Sequence, residues 1–588
     1  MISVLLIWGF ILVTTWILGF TVLGVITSLP FINKANNGNR YCVSKHTSFI
    51  LAGLVTANIY AEIYSLFSGV DKFAVLGLIL ICLILCIIQS QKIISSLQSL
   101  FIYSGKMFWG RLCITAAIVV LFSIGTAQGY WHIDTPLYHA QSIHWIETYG
   151  VVPGLGNLQS HFAYNNSCFC LYALYAFTFI SGQSFHVVQG FLAMIAAIIC
   201  LLPSKYSDTS KTHLALFGKV VTVGYLFTIF DELVSPAADY YFTILIFLVV
   251  VLWMELLDKK EASFVPYALI SMLAVYIITV KLAAAPLLLL ALLPITILIK
   301  NCKKNPNVKY KSQEEFLKNR KSSVYSIVFF IVIGFIIAIP YFVRTVILSG
   351  WLMYPLAQID LFNFEWQIPE GVAMFEQREI SITGREIYDL SVESTPLSMW
   401  FGIWFARLRG PMKILFAAAA VAVPVWAVLI LFRKKLKISP KLIHLALVIV
   451  VGFLFWFNTT PQIRFGISYI WTLDALTYGT ILIVLLGEKK NFLSNIPDLA
   501  AKVAILLPLA GMLYRVYAQR DMVKEVVVVQ QDYERFECGT YEIDGIEFYY
   551  PIGDVRAGYY AFPATRWQVE GVHALGDLVE DGFAVDKQ

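Results

Sequence analysis

Apolar stretches long enough to cross a membrane recur along almost the whole chain, and this constrains the fold more than any motif does. A crossing takes roughly 17–25 mostly apolar residues. Lipid offers no water to stray backbone N–H and C=O groups, so each stretch must close its own hydrogen bonds as a helix. Candidate crossings lie near 2–27, 47–68, 73–90, 112–128, 186–202, 214–230, 240–257, 264–280, 283–299, 323–342, 411–432, 441–457, 465–486 and 499–518, about fourteen in all. Of 588 residues, 59% are hydrophobic and 14% charged, whereas a soluble domain carries about 25% charged residues. The chain therefore reads as an all-α polytopic membrane protein. Its net charge of +5 is concentrated in short loops, which leaves no long basic surface for nucleic acid.

Those loops give the topology. From Leu112 to Ser204 there is no Lys or Arg, while 300–322 holds eight and 433–441 holds Arg433, Lys434, Lys435, Lys437 and Lys441. Basic loops stay on the cytoplasmic side. This rule puts 33–46, 91–111, 203–213, 258–263, 300–322, 433–441 and 487–498 inside. It puts 129–185, 231–239, 343–410, 458–464 and the tail outside, with both termini extracytoplasmic and the protein in the cytoplasmic (inner) membrane. The first apolar segment lacks a small-residue cleavage site and reads as a retained span. Residues 167–181 are apolar, but counting them as a crossing would invert the basic loops, so they are expected to form a juxtamembrane or re-entrant helix.

From about Arg520 charges return. The alternation from Tyr541 to Phe548 around Asp544-Gly545 predicts two short strands and a turn, in a small α+β domain over 519–588 that caps the outer face. Most of the nine cysteines sit in apolar segments as small hydrophobes. The state of Cys168, Cys170 and Cys538 is not given by their spacing.

Chemistry-bearing residues gather where the outer loops leave the helices. Trp131-His132-Ile133-Asp134-Thr135-Pro136-Leu137-Tyr138-His139 places an acid and imidazoles at a membrane exit, where they are costly unless used. Asp134 followed by Thr135-Pro136 also fits a helix N-cap, for a helix running to about Tyr149 and stopped by Gly150. Leu137, Tyr138, Trp145, Ile146 and Tyr149 form a stripe suited to the membrane interface, and His144 and Glu147 share a face. Five of the nine histidines lie between 132 and 186, but their spacing fits no compact ligand set on one helix face, so a divalent metal is not favoured. Lys281, Arg344 and Arg464 stand at outer helix ends against the positive-inside trend. They either pair with Asp231, Glu232 or Asp239 or form a cationic pocket for a lipid-linked phosphate.

This order of features resembles the integral membrane glycosyltransferases of the family C fold (GT-C). In that family a span exits into an outer loop with an acid and a Tyr four positions on, as Asp134 and Tyr138 stand here. A juxtamembrane apolar helix follows, matched by Phe169 to Ser181, then a span ending in basic residues, here 186–202 with Lys205. The run from Thr279 to Pro286 around Lys281 is similar to the family's Lys-Gly-Pro helix break. The likeness covers roughly 112–345 and is nearest a poorly characterised bacterial branch with extra N-terminal spans and a Ser235-Pro236-x-x-Asp239 outer turn. Thr135 departs from the second acid of many members, and His186-Val187-Val188-Gln189 lacks their Arg.

The resemblance implies a GT-C-like bundle of about fourteen helices. Residues 1–111 would be the extra helices, 112–348 the catalytic core with outer loop 129–185, 349–410 a large outer loop, and 411–518 the last helices. It implies transfer of a sugar from a polyprenyl-phosphate donor to a lipid or glycan acceptor, with Asp134 catalytic. Lys281, Arg344, Arg464, Tyr138, His139 and Asp239 would bind substrate and phosphate. A surface-polysaccharide polymerase or ligase, or a transporter or flippase of lipid-linked anions, are the alternative readings.

Overall fold

A helix forms at every one of the predicted stretches. In the computed structural model these are Ile2–Ser28, Lys45–Tyr64, Lys72–Ile88, Lys106–Ala127, Val188–Leu201, Leu214–Thr228, Ala238–Asp258, Val265–Val280, Leu282–Cys302, Gln313–Ser349, Gly410–Leu431, Pro440–Thr459, Ile463–Leu486 and Asn495–Ala518. The structure describes residues 1–36, 40–41, 44–101, 106–202, 213–259, 263–302, 313–389, 391, 395–486 and 495–585. The basic stretches 203–212, 303–312 and 487–494, Lys205 among them, lie outside the described residues.

Fewer candidate crossings are found than the fourteen expected. Among the described residues nine helices are long and apolar enough to cross a membrane, or ten if Lys72–Ile88 and Ser90–Gln98, bent by 84°, count as one. Val188–Leu201, Leu214–Thr228 and Val265–Val280 have 14, 15 and 16 residues. At 1.5 Å per residue they reach about 21–24 Å, short of a hydrocarbon core of about 30 Å. Their apolar surfaces are covered by neighbouring helices instead. They surround Ala238–Asp258, whose most apolar window is 89% buried inside the protein. At the N-terminus, helices Ile2–Ser28 and Lys45–Tyr64 meet through Gly19 and Gly53, where an added Cβ would strike the facing backbone.

The described loops gather at two ends of the bundle. At one end Tyr130 N donates to Asp231 O (2.7 Å), Gly154 N to Ile347 O (2.8 Å), and Ile2 N to Val527 O (2.9 Å), joining the N-terminus, the acidic loops and the tail. At the other, Trp253 Nε1 donates to Lys441 O (3.3 Å) and Phe31 packs on Phe329.

Residues 167–181 differ from expectation. They form two short helices, Cys168–Leu174 and Thr178–Ser181, broken at Tyr175–Phe177, where Phe177 has φ +52°. Cys168 to Ala176 are buried within the protein, against Lys45–Tyr64, Ala140–Thr148 and Ala238–Asp258, so other helices cover this apolar run and lipid does not. Cys168, Cys170 and Cys538 are free thiols.

The tail forms the predicted hairpin. β1 (Cys538–Ile543) pairs antiparallel with β2 (Ile546–Pro551) across Asp544 and Gly545, both at positive φ as a tight two-residue turn requires. A second pair, β3 (Val572–Ala574) with β4 (Phe583–Val585), completes it. The tail packs on the loop helix Ala140–Thr148: Gln141 Nε2 donates to Ala561 O (2.7 Å), and the His144 ring stacks between Tyr559 and Phe562 at 4.2 and 3.8 Å. The stripe expected in the membrane interface is thereby corrected. Trp145 and Ile146 are buried by protein, Trp145 against Phe562 and Phe162. Trp351 and Trp366 of the long loop likewise donate to Ile368 O and Val346 O and seat that loop on the protein.

Candidate functional site

The loop that leaves Lys106–Ala127 is pinned to the turn before Ala238–Asp258. Ser235 Oγ accepts from His132 N (2.6 Å) and donates to Tyr130 O (3.2 Å). This brings Asp134 and Asp239, more than a hundred positions apart, to one spot. Thr135–His139 then makes a π-helical turn before the α-helix Ala140–Thr148, and the chain turns at Gly150 with φ +82°. Asp134 stands at the N-cap position, but its side chain makes no capping hydrogen bond. The carboxylate is turned instead toward Arg464, whose Nη1 donates to Oδ2 at 2.7 Å.

Arg464 also meets Asp239, Nε to Oδ2 at 3.3 Å, and Lys281 forms an ion pair with the other oxygen of Asp239. Lys281 sits where helix Val265–Val280 ends and a 3₁₀ stretch begins, its Nζ 3.6 Å from the centre of the Phe465 ring. Two carboxylates and two cations thus form one compact cluster. Asp239 is 4% exposed, while the side chains of Asp134 and Arg464 are 14% and 30% exposed. The Lys281 side chain is 22% exposed, so the cluster is open at its two cations and sealed around Asp239.

Imidazoles line it. His132 lies 3.9 Å from Asp134, and His139 stacks on His132 at 5.8 Å. Burial lowers the pKa of both, that of His139 to about 3, so each is a neutral ring near pH 7. Tyr138 packs between His139 and His161, and burial, then the nearby Asp134, raises its hydroxyl pKa.

Of the three cations read together from the sequence, the structure assembles two. Arg344 is buried in a separate cluster, where Nε donates to Asn165 Oδ1 (3.2 Å) and Nη1 reaches the Ser65 hydroxyl. His144 and Glu147 do share a face, and it binds the tail. Glu147 accepts from Tyr559 (2.5 Å), Ser184 (2.8 Å) and Thr178 (3.0 Å), and burial raises its pKa to about 7.

Ligand atoms of His132, Asp134 and Asp239 lie within 4.8 Å of one another, a set that could hold a metal ion. Histidine spacing missed it because two of its members are carboxylates, one from another helix. The same carboxylates already neutralise Lys281 and Arg464, so a dication there would have to displace a guanidinium or an ammonium. Sequence reasoning also passed over Glu376, buried in the long loop and bonded by the Tyr164 hydroxyl. Nothing in its exposed-looking acidic run marks it.

No curated protein and no solved structure matches this chain. One family profile matches residues 1–310 and 315–471, a span that includes His132, Asp134, Asp239, Lys281 and Arg464 and stops before the tail, so the chain belongs to that family, the domain of unknown function DUF8201.

Proposed function

We propose that this protein is a membrane glycosyltransferase of GT-C type, moving a sugar from a polyprenyl-phosphate carrier to an acceptor on the outer face of the cytoplasmic membrane. One observation carries the reading: Arg464 bridges Asp134 and Asp239 while Lys281 holds the second oxygen of Asp239, beside neutral histidines. A donor phosphodiester, with one negative charge, enters beside Lys281 and Arg464 and loosens the hold of Arg464 on Asp134. The Asp134 carboxylate then takes the proton of an acceptor hydroxyl. The acceptor oxygen bonds to the anomeric carbon, and the bond from that carbon to phosphate oxygen breaks. The electron pair leaves with the phosphate, whose charge rises toward two as polyprenyl phosphate forms. Lys281 and Arg464 stabilise this added charge, which is usually the larger share of such catalysis.

The test is release of polyprenyl phosphate from a panel of polyprenyl-phosphate hexoses and pentoses by the full chain in lipid nanodiscs. Asp134→Asn should lower transfer by about 10²–10⁴ with the fold retained. Full turnover in that variant removes Asp134 from the proton-accepting role.

A further inference from the structure

A chain of rings leads from the ion-pair cluster to the long loop. His139 contacts Tyr138 (4.4 Å between ring centres), Tyr138 contacts His161 (5.0 Å), His161 contacts Tyr164 (5.1 Å), and Tyr164 contacts Tyr354 (6.2 Å). Three parts of the sequence build it: the loop helix and its return, the long loop through Tyr354 and Glu376, and the tail through Arg566. Glu376, Arg566 and Asp134 all lie within electrostatic reach of His161.

Three polar groups here have unused hydrogen-bonding capacity. One oxygen of Glu376 accepts from Tyr164, and the other accepts no hydrogen bond among the described residues. The Tyr138 hydroxyl has no partner among them either. The Arg566 Nε is buried without an acceptor. The free Glu376 oxygen and the Tyr138 hydroxyl are therefore the groups that can bond an arriving ligand, with the partly exposed Arg566 guanidinium beside them. Vicinal hydroxyls suit the set, because a carboxylate accepts from them and a guanidinium donates to them. Glu376 and its neighbour Glu379 on one helix turn oppose an anionic ligand.

We infer that Tyr138, His161, Tyr164, Glu376 and Arg566 form a binding site for an uncharged glycan, the acceptor of the transfer proposed above, entering from the water side opposite the lipid-linked donor. The inference rests on that transferase reading for the word acceptor, but not for the binding itself.

The experiment measures binding of short linear gluco-, galacto-, manno- and arabino-oligosaccharides to the full chain in nanodiscs, with an oligouronate as the charged contrast. At least one neutral series should bind. Glu376→Gln and the partly exposed Arg566→Ala should each weaken it by about tenfold or more. No binding by any neutral series, tighter binding of the oligouronate, or unchanged affinity in both variants would overturn the site. Binding as described, without transfer from any polyprenyl-phosphate sugar, keeps the site and removes the transferase. Undiminished transfer in both Glu376→Gln and Arg566→Ala keeps the transferase and removes the site.

Discussion

Arg464 and Arg344 both stand near helix ends on the side of the bundle that carries the acidic loops, and their hydrogen-bond partners differ in charge. Arg464 faces two carboxylates and shares one of them with Lys281, in a cluster whose cations are partly exposed. Arg344 is 1% exposed, is bonded to the neutral side chains of Asn165 and Ser65 and has the buried acid Glu62 within electrostatic reach, which ties helix Gln313–Ser349 to the loop after Tyr164 and to the end of Lys45–Tyr64. A partly exposed cation with charged partners is the kind that could exchange them for the phosphate of the proposed donor. A sealed cation bonded to fixed neutral oxygens holds elements together.

Substitution separates the two roles. Arg464→Ala should lower transfer by about 10²–10³ and weaken binding of polyprenyl phosphate, while its unfolding midpoint moves little. Equal donor affinity in this variant would dissolve the distinction. Arg344→Ala should do the reverse. Loss of a buried, hydrogen-bonded charge costs about 3 kcal/mol, read in denaturant unfolding, and donor affinity should stay within about twofold.

The pH response sharpens the contrast on the loop helix, whose two sides carry opposite signs. Glu147 has its folded pKa raised to about 7 from an ordinary 4.5. Its contribution to tail docking is full below pH 4.5 and is lost as pH rises to about 7. His139, lowered to about 3 from 6.5, contributes fully above pH 6.5 and loses that contribution as pH falls toward 3. Hydrogen exchange should therefore show residues 558–564 better protected at pH 5 than at pH 8. The 132–139 turn should lose protection on acidification. A common direction for both would show that the two surfaces open together.

The smallest effect expected is that of a chelator. Lys281 and Arg464 already balance Asp134 and Asp239, so transfer in EDTA should match that in its absence. Loss of activity, restored by a divalent cation, would show that His132, Asp134 and Asp239 take a metal in place of Arg464.

The residues of the cluster were legible singly because charge at a helix exit is costly. Asp134 drew attention on that ground, yet the same Asp-Thr-Pro run is an ordinary helix start, and only the direction of its side chain separates capping from ion pairing. The Ser235-Pro236-x-x-Asp239 turn stood out as acidic. Nothing in it told that Ser235 pins the 130–132 backbone and so carries Asp134 to Asp239. Glu376 was one acid among eight between 349 and 396, and only burial beside Tyr164 sets it apart.

Composition and periodicity by themselves determined that the chain is helical and membrane-embedded, that its loops sort by charge into two ends, and that the tail turns at Asp544-Gly545. These follow from local or additive causes: backbone hydrogen bonding in lipid, the sum of loop charges, and the dihedral angles of two residues. Tertiary structure alone decided that Val188–Leu201, Leu214–Thr228 and Val265–Val280 pack around Ala238–Asp258. It also decided that the aromatic stripe lies under the tail, and that two of three outer cations share one pair of carboxylates. Each of those depends on which surfaces meet across hundreds of residues, and the free energy of such meetings is carried by pairs that no single stretch of sequence contains.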